Sequence, residues 1–182
     1  MPATRVDSLT PGAWAVLGAL AEGPTHGFAL VQLMARDGAL GRIWTLPHPV
    51  VYQALKRLQQ LDLITERATE RGGRGPQRTI LAVTPAGRRA LRRWLFAPVD
   101  HVRDVRSLLL LKMALLDRAG IDPAPLLDAQ RAQVETLVAA LTCQHDAAEG
   151  FERVLATWRL ESSRAVLRFL DSVSPSSSSS RP

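Results

Sequence analysis

The sequence predicts a mainly α-helical fold in two parts, with a single β-hairpin confined to the first. Three observations predict it. Apolar residues recur at helical spacing in four successive segments before Pro98. Two short β-branched, apolar runs flank a Gly-rich stretch between the third and fourth of these segments. Everything after Pro98 reads as helix alone until the serines begin. The expected division is residues 1–98, residues 99–172 and a serine-rich tail over 173–182, which is expected to be disordered.

Thr10-Pro11 predicts the first helix start: threonine is a good N-cap, and proline suits the first helical position because its missing N–H would be unpaired there anyway. Trp14, Leu17, Gly18 and Leu20 follow at helical spacing, and Gly23-Pro24 ends the helix. Thr25-His26-Gly27 is expected to start the second helix, with Phe28, Leu30, Val31, Leu33 and Met34 as its apolar stripe and Gly38 and Gly41 breaking it. Pro47 and Pro49 favour an extended connector before a third helix, from about Pro49 to Leu61. There Val51, Leu55 and Leu58 form an apolar row, with Ala54 and Leu61 alongside, while Tyr52, Gln53, Lys56, Gln59 and Gln60 face the other way. Leu63-Ile64-Thr65 and Thr79 to Val83 read as strands, joined by the basic, Gly-rich Glu70 to Arg78. Thr84-Pro85 repeats the cap-plus-proline start, for a fourth helix to about Leu95.

In the second part, Val105 to Leu116 is apolar almost all round and should be a buried helix. Asp122-Pro123 opens a long helix with Leu127, Val134 and Leu141 seven apart and Gln130, Leu137 and Gln144 between them. A final helix carries Phe151, Val154, Leu155, Trp158, Ser162, Ala165, Val166 and Phe169. These two helices hold more apolar surface than a small domain covers by itself, so a coiled-coil-like homodimer is expected.

Composition narrows the function classes. Of 182 residues, 46% are apolar, enough for a core and too many for a disordered chain. No apolar run reaches the roughly 18–20 residues of a membrane span, and Met1 to Thr10 has no signal-peptide pattern. The single cysteine, Cys143, cannot form an intrachain disulfide and suits a reducing cytoplasm; it is expected as a small core or seam residue. The net charge of +6 is unevenly spread. Residues 1–98 hold 13 Arg/Lys against 6 Asp/Glu, and residues 99–182 hold 10 against 11. A positive excess confined to the first part is what a polyanion-binding module requires. His26, His48, His101 and His145 are scattered without metal-ligand spacing, and no nucleophile–base pair stands out. Neither an enzyme nor a cofactor or metal is expected.

Three helices, two strands and a basic hairpin in that order make a winged helix-turn-helix. A B-DNA major groove admits one α-helix and rewards side chains that donate and accept hydrogen bonds. The third helix offers Tyr52, Gln53, Lys56 and Arg57 for that purpose, and the hairpin bearing Arg71, Arg74 and Arg78 can reach phosphates or the minor groove. The alternative, a winged helix used as a protein-interaction module, has little use for three arginines on a glycine-rich tip.

The chain resembles the PadR family of bacterial transcriptional regulators over nearly its whole length except the serine tail. The resemblance rests on Val16 to Leu20 followed by Gly23-Pro24-Thr25-His26-Gly27-Phe28, on Val51-Tyr52-Gln53-Ala54-Leu55-Lys56-Arg57-Leu58, and on Gly72-Gly73 through Val83-Thr84-Pro85-Ala86-Gly87. It implies a homodimeric repressor whose winged helices read two half-sites of a pseudo-palindromic operator in double-stranded DNA. Tyr52, Lys56 and Arg57 match recognition-helix positions, and Arg74 and Arg78 match wing positions. It also implies a small aromatic effector near the dimer interface, for which Trp14, Trp94, Phe96 and Trp158 are the candidate lining. Two departures stand out: His48-Pro49-Val50 replaces the usual small or hydroxyl residue before the recognition helix, and Phe28 stands where Tyr is usual.

Overall fold

A computed structural model describes residues 9–70 and 78–174. By packing, the described residues form two units: Leu9 to Leu95 together with Leu110–Ile121, and Phe96–Leu109 together with Asp122 to Ser174. The segment after Pro98 is therefore shared between the units, and Leu110–Ile121 packs with the first.

In the first unit, α1 (Pro11–Ala21) is the central helix, buried along its length from Gly12 to Leu20. Thr10 caps it, its Oγ1 accepting the N–H of Ala13 at 3.2 Å. Around it pack α2 (Gly27–Met34), α3 (His48–Gln60), β3 (Arg78–Val83) and α6 (Leu110–Arg118). The aromatic cluster shows why α6 belongs here. Trp14 of α1 stacks on Trp94 of α4 (Pro85–Phe96), with centroids 5.3 Å apart and planes 7° apart. The buried Lys112 of α6 sets its Nζ 4.7 Å above the Trp94 ring, a cation–π contact of the kind that desolvation strengthens. At the far end of α6, Arg118 donates two hydrogen bonds to Glu22, at 2.5 and 2.6 Å. That hydrogen bonding holds the Arg118 guanidinium above its ordinary pKa.

The hairpin is β2 (Ile64–Glu70) against β3, antiparallel, running from Ile64↔Val83 to Glu70↔Arg78, with Arg67 bulged out between Glu66 and Ala68. A third strand joins it. Thr25–His26 (β1), expected to start the second helix, pairs instead with β3 through Thr25↔Leu81 and His26↔Ile80. Two residues carry no periodicity of their own; it is the open edge of β3 that makes them a strand. Helix α2 starts one residue later and places Phe28, expected in its buried stripe, 51% exposed.

In the second unit, α5 (Val102–Asp104) runs into a π-helical turn, Val105–Leu109, so the apolar helix expected over Val105 to Leu116 is not regular. Helices α7 (Ala124–Ala147) and α8 (Gly150–Val173) pack side by side. Leu126, Leu127, Val134 and Leu141 of α7 are buried with Ala156, Leu160, Val166 and Leu170 of α8, so the seven-residue row of α7 is used within the chain. An ion pair between Arg131 and Asp171 links the start of α7 to the end of α8. Gln130, fully buried, accepts the N–H of Val99 at 2.7 Å and donates to its carbonyl at 3.2 Å, pinning the chain before α5 onto α7. Cys143 is exposed on α7 rather than in the core, and Leu137 is also partly open.

Candidate nucleic-acid interface

Helix α3 is built from two unlike faces. Val51, Ala54, Leu55 and Leu58 are buried beneath it, and that burial fixes its rotation. Tyr52, Gln53, Lys56 and Arg57 are consequently all exposed, two successive turns of side chains looking outward. The start of α3 has no side-chain cap, because Pro47 occupies the N-cap position. His48 tilts its ring against Tyr52 with centroids 4.8 Å apart. Tyr52 also leans over Gly27, where a methyl group would stand 3.1 Å from the tyrosine ring. Gln59, expected on the outward face, is half-buried and donates to Glu66 of β2 at 3.2 Å, tying the end of α3 to the hairpin.

Beside this face a groove of about 680 Å³ runs between the start of α2, α3 and the hairpin. Lys56 and Arg78 line it from opposite sides, and His26, Phe28 and Tyr52 close it. His26 and Phe28 lie outside the set that sequence reading singles out for DNA. An N-cap signal was available for His26, since its ring nitrogen can accept the same hydrogen bond that Ser or Asn accepts; nothing in the sequence marks Phe28 as exposed. His26 Nδ1 accepts the N–H of Ala29 at 3.1 Å, capping α2. Arg78 is exposed at the start of β3. Arg71 and Arg74 lie outside the described residues, as do residues 175–182 of the serine-rich tail, whose first two residues end and cap α8.

The aromatic residues named for an effector fall into different surroundings. Trp14 and Trp94 fill each other's faces in the first unit, and Phe96 is half-buried at the end of α4. Trp158 belongs to the second unit, 71% exposed on α8. It borders a cavity of about 410 Å³ together with Leu137, Leu141, Arg103 and Arg159.

These features define a winged helix-turn-helix: a helix with a polar outward face, held on a three-helix core and flanked by a β-hairpin. Residues 16–93 match the Transcriptional regulator PadR-like family. It is 27% identical over 93 residues to a Mycobacterium tuberculosis protein named "Probable transcriptional regulator Rv1176c", a match covering 51% of this chain and 48% of that one. It is also 27% identical over 99 residues to the negative transcriptional regulator PadR of Bacillus subtilis, covering 54% and 53%. The chain thus spans about half the length of the curated relatives it matches. Among solved structures, Bacillus subtilis PadR in complex with operator DNA aligns over 88% of this chain and 95% of that one, with 21% identity and a TM-score of 0.46.

Proposed function

We propose that this chain is a dimeric, sequence-specific DNA-binding repressor that answers to a small aromatic effector and acts in the cytoplasm. The outward face of α3 carries the proposal. A helix with its side chains is about 10–12 Å across and a major groove about 12 Å wide. With its apolar residues engaged beneath, α3 leaves Tyr52, Gln53, Lys56 and Arg57 exposed to meet base edges. Gln suits adenine and Arg or Lys suits guanine, both through paired hydrogen bonds. Arg74 and Arg78 are proposed to hold the backbone.

The dimer reading is supported by α8. Phe151, Val154 and Trp158 are 77%, 61% and 71% exposed, and with Ala165 they line the side opposite the residues packed on α7. Such a row, spaced three and four apart, fits a second copy of the same helix. A two-fold pair of winged helices would read two half-sites. The cavity beside Trp158 is the proposed effector pocket, because a planar ligand stacks on a large exposed ring.

A mobility-shift titration with duplex DNA from upstream of the protein's own gene tests the reading. Binding is expected to weaken steeply between about 50 and 200 mM salt and to resist competition by mixed-sequence DNA. Binding without salt sensitivity, or none, overturns it.

A further inference from the structure

The groove between α2 and the hairpin contains two donors aimed at one another. His26 Nδ1 accepts a hydrogen bond from Ala29 N at 3.1 Å. That nitrogen therefore carries a lone pair, and the neutral ring holds its hydrogen on Nε2. Nε2 lies 3.5 Å from Arg78 Nη1. A ring N–H and a guanidinium N–H cannot satisfy each other, so this contact lacks an acceptor. The space they share is the groove, and Lys56 adds a second positive charge to it. Its carboxylate, Glu66, accepts the amide hydrogen of Gln59 at 3.2 Å, and two cations outweigh it. Among the side chains that are described, Arg78 and Lys56 form no ion pair. Converging N–H donors in a positive field are a site for an anionic oxygen.

We propose that a phosphate of the DNA backbone docks in this groove, with its oxygens accepting from His26 Nε2 and Arg78 together. His26 would then do two jobs, capping α2 with one nitrogen and holding the duplex with the other. The groove adjoins the outward face of α3 and the hairpin, the two parts assigned to DNA, so a strand leaving the major groove would cross it. This proposal rests on the DNA-binding reading above.

The test uses the full chain and the upstream duplex, with H26N, R78Q and the double variant. Asn is a good N-cap, so H26N keeps the α2 cap and removes the Nε2 donor. H26N is expected to bind roughly tenfold more weakly, the scale of one hydrogen bond to a charged group. R78Q should lower the slope of log affinity against log salt by about 0.9. The two losses should be less than additive, since both remove partners of one phosphate. In ethylation interference, the same single phosphate per winged helix should stop mattering in H26N and in R78Q. R78Q, at an exposed position, carries this readout by itself if H26N melts early. Wild-type affinity for H26N, additive losses, or an unchanged ethylation pattern in both variants overturns the phosphate site while leaving salt-sensitive binding, and so the DNA reading, intact. If the wild type binds no duplex, both fall. If either variant loses affinity for inorganic phosphate with its ethylation pattern unchanged, the groove is a free-anion site and the proposal fails.

Discussion

Thr84 Oγ1 accepts the backbone N–H of Gly87 at 3.0 Å, closing the first turn of α4. The same hydroxyl donates to the carbonyls of Asp62, at 2.7 Å, and Leu63, at 3.1 Å. The helix after the hairpin is thereby locked to the turn before it, where Asp62 adopts the left-handed region at φ 54°. Gly87 permits the approach: a Cβ there would lie 2.1 Å from the Leu63 carbonyl oxygen. Backbone cannot rotate aside as a side chain can. Gly87→Ala is therefore expected to cost about 3 kcal/mol, the upper range of overpacking. Thr84→Val should cost about 1 kcal/mol, the usual loss of a cap. Urea unfolding of the two variants checks the order; equal stability of Gly87→Ala and wild type would contradict this packing.

That pair also shows what could be read in advance. The cap-plus-proline starts at Thr10-Pro11 and Thr84-Pro85 are local chemistry, and both helices begin where those residues put them. The two faces of α3 follow from spacing alone, because a 3.6-residue period sorts Val51, Ala54, Leu55 and Leu58 from Tyr52, Gln53, Lys56 and Arg57. What failed to show was non-local. β1 exists because β3 offers an edge, and Gln59 turns inward because Glu66 waits across the turn. Leu110 to Leu116 is apolar on nearly every side, so no periodicity told which unit it would join; the Trp14–Trp94 stack beneath Lys112 is what places it.

Lys56→Ala and Arg57→Ala are each expected to weaken binding to the upstream duplex by about 1–3 kcal/mol, the range for a lost base contact. Both residues are exposed and engage no carboxylate among the described residues, so thermal stability should hold. Mobility shifts on specific and mixed-sequence duplexes separate the roles. A base contact costs specific binding more, whereas a phosphate contact costs both alike. Unchanged binding by both variants would remove α3 from the interface.

Gln130 is a buried amide whose two polar ends are both used by Val99. Gln130→Ala strands that N–H and weakens the hold on the carbonyl, which keeps a bond from Gln133 at 3.0 Å. The expected destabilisation is about 1–3 kcal/mol, the cost of unsatisfied buried polar groups. Gln130→Glu keeps the acceptor but loses the donor and buries a carboxyl group, so it should also destabilise and lose less stability at low pH, where the protonated acid can donate again. Denaturant midpoints at two pH values check this; a pH-independent Gln130→Glu loss would count against the hydrogen-bond assignment.

The row on α8 makes the last prediction. Trp158 lies 71% exposed between Val154 and Ser162, opposite the face that Ala156, Leu160, Ser163 and Leu170 pack against α7. Replacing it should leave the α7–α8 pairing untouched while placing a charge in the middle of any contact between two copies. Burying an unpaired carboxylate costs several kcal/mol, and in a symmetric dimer the cost falls twice. Trp158→Glu is therefore expected to give a folded 19.9 kDa monomer, and the wild type is expected to sediment at twice that mass. Because two half-sites are then no longer held together, its affinity for the operator should drop by far more than its affinity for a single half-site. Helicity by circular dichroism guards against simple unfolding. A variant that still sediments as a dimer would show that another surface joins the copies, and a monomeric wild type would remove the two-half-site reading altogether.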